Sequence, residues 1–129
     1  MKSNISPYTL SFQEMDINDV SKVGGKNASL GEMAKHLGKK GVRVPDGFAT
    51  TAYGYRAFLK SNKMEAKIKA LLEEYHKEKA SLEETGHAIR QLFLNGTFPI
   101  PQAESIRDAY EELSSKYSQN GRSNGKSNL

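Results

Sequence analysis

The chain has 129 residues, 36% of them hydrophobic and none of them tryptophan, enough for one small domain with a modest core of Leu, Ile, Val, Ala, Phe and Tyr and too few for a multi-step enzyme with moving parts. The net charge of +4 comes from 19 Lys and Arg against 15 Asp and Glu. The signs alternate along the helical stretches, as at Glu73, Glu74, Lys77, Glu78 and Lys79, which is a solvated helix face rather than a nucleic-acid groove. With no cysteine, disulfides, zinc–thiolate centres and cysteine nucleophiles are excluded.

Met1 to Leu10 contain Pro7 and several polar groups but no apolar signal core, and no apolar run approaches the length of a membrane span. The expectation is a cytoplasmic protein that binds neither nucleic acid nor membrane. Residues 9–15 read as a short extended stretch in which Leu10 and Phe12 alternate with polar neighbours. Residues 16–20 are compatible with a single helical turn. The glycine pair Gly24-Gly25 then runs into a helix whose apolar face is Leu30, Met33, Ala34 and Leu37, with Gly38 placed to stop it.

Val42-Arg43-Val44 alternates and leads into Pro45-Asp46-Gly47, a turn in which proline presets one backbone angle and glycine tolerates a positive one. Phe48-Ala49-Thr50 continues as extended chain. Thr51 is a natural N-cap for a helix in which Tyr55, Phe58, Leu59 and Asn62 share a side.

The second half is helical throughout. Met64, Ile68, Leu71, Leu72 and Tyr75 form one apolar stripe. Ser81 and Glu84 have capping-box spacing ahead of Thr85, Ala88, Ile89, Leu92 and Phe93, and Asn95-Gly96 closes that helix. Pro99 and Pro101 mark the start of a last helix with the stripe Ala103, Ile106, Tyr110, Leu113 and Tyr117. These stripes are read as packing faces. From Ser118 to Leu129 only Leu129 is apolar, so the expectation there is a disordered polar tail at residues 118–129 after one domain at 1–117.

One stretch carries chemistry. In Val23-Gly24-Gly25-Lys26-Asn27 the two glycines let backbone N–H groups turn towards a ligand with no side chain in the way. The helix that follows contributes unpaired N–H groups and a partial positive charge, and Lys26 adds a full charge able to reach a phosphate oxygen. The arrangement is not a Walker A loop, since asparagine follows Lys26 and the upstream glycine is missing. A strand-to-helix turn with a solvated lysine accounts for the same residues. Asp46 reads as a turn residue rather than a metal ligand. His36, His76 and His87 read as solvated, with no paired carboxylate or second histidine, so neither a catalytic residue nor a metal ligand is assigned.

The run Val23 to Met33, then Val44-Pro45-Asp46-Gly47-Phe48-Ala49-Thr50-Thr51, then Tyr55-Arg56-Ala57-Phe58-Leu59 resembles the N-terminal region of the phosphoenolpyruvate synthases. It is similar, less closely, to pyruvate phosphate dikinase and the rifampicin phosphotransferases. The likeness runs from about Leu10 to Tyr117. It implies an α/β fold, the helix-rich N-terminal portion of an ATP-grasp-like nucleotide-binding domain, with Lys26 on the nucleotide phosphates and Gly24 and Gly25 as backbone contacts. It implies ATP as ligand, magnesium held by ligands outside this chain, and pyruvate as a partner only in a full-length enzyme that makes phosphoenolpyruvate, AMP and phosphate.

The Val-Arg-Ser-Ser type strand, the phosphohistidine domain and the pyruvate-binding barrel of that family have no counterpart in this sequence. The abrupt change at Ser118 reads as a frameshift or an early end of the gene. The expectation is a chain with no synthase activity by itself. The alternatives are a piece of one of the related phosphotransferases, a non-catalytic partner-binding module, or a remnant.

Overall fold

A computed structural model describes residues 6–120, and the expectation for the tail beyond them lies outside the described residues. Two compact units divide the chain: Met1–Gly54 with Pro101–Leu129, and Tyr55–Ile100.

The first unit is organised on a small antiparallel ribbon. Strand β1 (Thr9–Ser11) pairs with β2 (Phe48–Thr50) in the register Thr9 to Thr50, Leu10 to Ala49 and Ser11 to Phe48. Phe12 N–H to the Gly47 carbonyl and Thr51 N–H to the Tyr8 carbonyl, both 3.0 Å, extend the ladder by one bond at each end. The expected extended stretch therefore stops at Ser11, where a 3-10 turn at Phe12–Glu14 takes over with the Ser11 hydroxyl as its cap. A second 3-10 turn, Ile17–Asp19, runs into the single-turn helix α1 (Val20–Val23), which gives the expected helical turn after Asp16.

Helix α2 spans Gly25–Leu37. Its buried face is not the expected one. Ala28 and Gly31 are buried, Leu30, Ala34 and Leu37 are half-buried, and Met33 is exposed. Two small residues hold the inner face because Met15, wholly buried, lies directly on Gly31. Nor does Gly38 stop the helix: it keeps right-handed angles and a 3-10 turn continues through Lys40. The reversal falls at Gly41, whose φ of +83° is left-handed, the conformation glycine adopts at least cost. Val42-Arg43-Val44 forms no strand, and Val42 is exposed.

A ribbon with three residues per strand is marginal by itself. Helix α6 (Ile100–Asn120) supports it, three residues longer than the break expected at Ser118. The support is polar. The Ser105 hydroxyl hydrogen-bonds the Ser6 hydroxyl at 2.7 Å and the Thr9 hydroxyl at 2.9 Å, and the buried Gln102 donates to the Gly54 carbonyl at 2.9 Å. Lys116 Nζ reaches Asp46 Oδ2 at 3.3 Å. The expected apolar stripe of this helix is only partly used, since Tyr110 and Tyr117 are exposed. The apolar core of the unit is Met15, Val23, Ala28 and Ala49, with Leu10 and Phe12 against it.

Helix α3 (Ala52–Ser61) is capped as expected, with Gly54 N–H donating to Thr51 Oγ1 at 3.1 Å. In the second unit, α4 (Met64–His76) follows Lys63, which takes a left-handed φ of +54°, and α5 (Leu82–Asn95) opens on Ser81 with the reciprocal capping box to Glu84. The core here is Phe58, Leu59 and Met64, flanked by Ile68, Leu92 and Phe93. The Phe93 ring stacks on Tyr55 at 6.0 Å and on Phe58 at 5.9 Å between centroids, a spacing at which aromatic pairs attract. Asn62 pins the end of α3 to the segment after α5, donating to the Thr97 carbonyl at 2.9 Å and accepting from Thr97 N–H at 3.0 Å. Gly96 closes α5 as expected, in extended rather than left-handed backbone, where the Phe58 ring leaves no room for a side chain.

Candidate functional site

The Gly24-Gly25-Lys26 segment is a helix-to-helix turn rather than the strand-to-helix turn of a phosphate-binding loop. Helix α1 ends with Gly24 N–H on the Val20 carbonyl at 2.8 Å, and α2 begins with Ala28 N–H on the Gly24 carbonyl at 3.0 Å. Gly24 joins them at φ +90°, ψ 162°. Only glycine reaches that region comfortably, and an L side chain there would cost on the order of 1–3 kcal/mol. Gly25 is helical, so its backbone does not demand glycine; what it contributes is absence of bulk. A Cβ at either position would meet nothing within 4 Å.

Among the described residues no side chain caps α2 and none accepts from the first amides of this 13-residue helix, which carry its positive dipole end into solvent. Asn27, in the first turn, donates back to the Val23 carbonyl at 2.9 Å instead. Gly24, Gly25 and Lys26 are all exposed, and Lys26 makes no salt bridge among the described residues. The turn thus combines accessible N–H donors, a dipole end and a free ammonium, the elements of an anion-binding site. Phosphoryl transfer needs more, because several positive groups and metal ions must surround the phosphates together.

Two features hold the turn from behind. Asp16 caps the 3-10 turn, accepting from Asn18 N–H at 2.8 Å and from Lys35 Nζ at 3.1 Å. Glu32 Oε1 accepts from Ile17 N–H at 2.9 Å while Oε2 meets His36 Nε2 at 2.8 Å. His36 therefore does have a carboxylate partner, one turn back on its own helix, contrary to the expectation of an unpaired histidine. The Asn18 amide, then Lys35, hold the Asp16 carboxyl below its ordinary value of 3.8. The Ile17 amide, then His36, hold Glu32 below 4.5.

Depressed folded values mean stabilisation that is present above the unfolded pKa and lost as pH falls through the folded one. Both ties are therefore intact at neutral pH and open in acid, with a small effect because the groups are exposed and screened by salt. Carboxyl NMR titration should give midpoints below 3.8 for Asp16 and below 4.5 for Glu32; midpoints at or above those values would contradict the ties.

Elsewhere in the first unit a cleft lies between the ribbon and α6, lined by Tyr8, Ser11, Asp46, Phe48, Ser105 and Lys116 among others. None of Gly24, Gly25 or Lys26 lines it. Asp46 is the turn residue expected, with Oδ1 accepting from Gly47 N–H at 2.8 Å, and its second oxygen is taken by Lys116. Thr51 is occupied as a cap and by the Pro7 carbonyl, which its hydroxyl contacts. Among the described residues no group of three or more His, Asp or Glu is placed to hold a metal ion, and no helix is long and apolar enough to cross a membrane.

The site residues that sequence reading missed are Glu32, Asp16, Lys35 and Gly31. The signals were available as i, i+4 spacing of Glu32 with His36 and as a glycine inside a helical run, but their partners in the preceding turn follow only from the fold.

Similarity to known proteins extends over most of the chain. The chain is 45% identical over 109 residues to a phosphoenolpyruvate synthase of Synechocystis sp., covering 84% of this chain and 13% of that protein. It is 42% identical over 107 residues to a phosphoenolpyruvate synthase of Aquifex aeolicus, and 46% identical over 107 residues to one of Neisseria meningitidis, each covering 82% of this chain. The chain spans 12% to 14% of the length of these curated relatives. The resemblance to phosphoenolpyruvate synthases carried by the Val23–Met33 and Val44–Leu59 blocks is thereby shown. Residues 20–124 match the family described as pyruvate phosphate dikinase, AMP/ATP-binding domain, a match that begins at α1 and takes in the candidate turn. With those residues matched out of 129, the chain belongs to the pyruvate phosphate dikinase AMP/ATP-binding domain family.

Proposed function

We propose that the α1–α2 turn binds the phosphates of ATP. In this reading Lys26 is the charged contact and Gly24 and Gly25 supply backbone donors, within a nucleotide-binding domain of ATP-grasp type. The observation that carries it is the uncapped α2 N-terminus behind Gly24 at φ +90°, with Lys26 exposed and, among the described residues, outside any salt bridge. Membership of an AMP/ATP-binding domain family supports adenine nucleotide over other anions.

Magnesium enters on the phosphates as the nucleotide salt, with its protein ligands outside this chain. The relatives suggest the wider reaction, in which ATP, pyruvate and water give phosphoenolpyruvate, AMP and phosphate in the cytoplasm. This chain contributes phosphate binding to it and performs no turnover by itself, because a single lysine at one helix start leaves the transferred charge unneutralised.

Calorimetric titration of Mg-ATP into the chain should give weak binding that Lys26→Ala lowers by about tenfold, the worth of one charge-assisted hydrogen bond. Equal affinity in both proteins would remove Lys26 from the site. Pyruvate-dependent formation of AMP by this chain would refute the claim that it is inactive by itself.

A second reading is favoured by one observation. Leu94 and Ile100 in the second unit are 75% and 73% exposed, apolar side chains that a protein partner would cover. On that reading Lys26→Ala changes nothing about the interaction, which distinguishes it from the nucleotide site.

A further inference from the structure

Glu32 lies eight positions after Gly24, about 12 Å along the helix axis, too far to touch a phosphate held at the α2 N-terminus. Its carboxylate nevertheless fixes the chain that enters that terminus. Oε1 accepts from the backbone N–H of Ile17 at 2.9 Å, and Ile17 opens the 3-10 turn that runs through α1 into Gly24. Between Ile17 and the glycine the chain is closed on itself, with Asp19 N–H on the Asp16 carbonyl at 3.0 Å and Gly24 N–H on the Val20 carbonyl at 2.8 Å. At its far end Asn27 holds the Val23 carbonyl at 2.9 Å. Residues 17–23 are thus a short helical arm attached to α2 at both ends, and the angle at Gly24 cannot open while both attachments hold.

The other tie across the same gap, Lys35 to Asp16, is an ion pair between two side chains that are 42% and 31% exposed; the Glu32 bond is exposed as well, and what sets it apart is where it ends. The Glu32 bond ends on a backbone amide, so it restrains the main chain directly. His36 Nε2 on Oε2 at 2.8 Å keeps the carboxylate turned towards Ile17.

We infer that Glu32 is a positioning residue for the phosphate-binding turn: by anchoring the Ile17 amide it sets the direction of the Gly24, Gly25 and Lys26 N–H groups without touching the ligand. The inference rests on the reading of that turn as the phosphate site.

The test uses the isotope-labelled full chain and three substitutions, first without nucleotide and then with Mg-ATP. Glu32→Gln keeps an oxygen that accepts from Ile17; Glu32→Asp keeps the charge but withdraws it by a methylene; Glu32→Ala keeps neither. The expected result is displacement of the Ile17, Gly24, Gly25 and Lys26 amide resonances in the Asp and Ala variants and near-wild-type positions in Gln. Mg-ATP affinity should fall about fivefold in Asp and Ala and less than about twofold in Gln, the effect of one backbone hydrogen bond. Unmoved Gly24–Lys26 resonances in Glu32→Ala would overturn the inference, as would a Gln variant that behaves like Ala while Asp behaves like wild type. Should the nucleotide-free shifts follow the expected pattern while wild type fails to bind Mg-ATP, the positioning of the turn stands and the phosphate reading fails.

Discussion

Gly31→Ala should lower the stability of the chain by about 3 kcal/mol, the upper range for adding one carbon to a filled contact, and its melting temperature by roughly 10–20 °C for a domain of this size. A Cβ at Gly31 would run into Met15 Cγ and come within 2.6 Å of the Met15 carbonyl oxygen and 3.0 Å of its carbonyl carbon. A flexible side chain could swing aside, but the backbone of Met15 cannot. It is fixed by Met15 N–H on the Phe12 carbonyl on one side, and by the Asp16 cap and the Ile17 amide on Glu32 on the other. The methyl must therefore push α2 away from the 3-10 turns, opening the core of Met15, Val23, Ala28 and Ala49 and moving the Gly24 turn with it. Thermal unfolding followed by circular dichroism checks this. The double variant Met15→Ala, Gly31→Ala should recover only part of the loss, because the carbonyl contact persists and the methionine side chain is gone. A Gly31→Ala chain as stable as wild type would mean that α2 and the preceding turn do not approach so closely.

Met64→Ala should cost about 3 kcal/mol, within the range for removing a large buried aliphatic side chain. Met64 is 1% exposed and, with Phe58 and Leu59, is one of the three buried hydrophobic residues that form the core of the second unit. So small a core has no second layer to collapse into the gap. The residue also begins α4 directly after Lys63 in its left-handed conformation, so Ile68, Leu92 and Phe93 cannot follow a displaced helix start without disturbing that link. A shift of the urea midpoint with an unchanged slope is the expected signature. Leu72→Ala on the exposed side of the same helix, 40% accessible, is the control and should shift it little.

The sequence was informative where the physical signal is local or periodic. The Ser81–Glu84 box, the Thr51 cap, the Asn95-Gly96 stop and the helical stripe from Thr85 to Phe93 all appear where their spacing put them. Motif wording identified the family, since the residues that carry it lie in two blocks whose order and separation are specific. What was not legible is long-range or non-periodic. The inner face of α2 is Ala28 and Gly31 because Met15 packs there, and an apolar-stripe reading passes over glycine in favour of Leu30 and Met33. Helix α6 is held to the rest of its unit through Gln102 on Gly54, Ser105 on Thr9 and Lys116 on Asp46, polar residues that any periodicity count assigns to solvent, while Tyr110 and Tyr117 stay exposed. The stop at Gly38 failed because two glycines lie three residues apart and the helix tightened through the first before reversing at Gly41.

The candidate site shows the same division. Gly24, Gly25 and Lys26 stand out as residue types, and the left-handed φ of Gly24 gives that glycine a backbone reason. The arm behind them, tied by Glu32 and Asn27, is a tertiary arrangement with no signature of its own in the sequence.

Titration of Mg-ATP into the labelled chain, followed through its amide resonances with Lys26→Ala in parallel, decides whether the α1–α2 turn binds nucleotide phosphates. Phosphate binding there gives shifts clustered on Gly24 to Leu30 in wild type and lost in the variant. Shifts centred instead on the cleft residues Tyr8, Asp46 and Ser105, or no shifts at any ATP concentration, would contradict it.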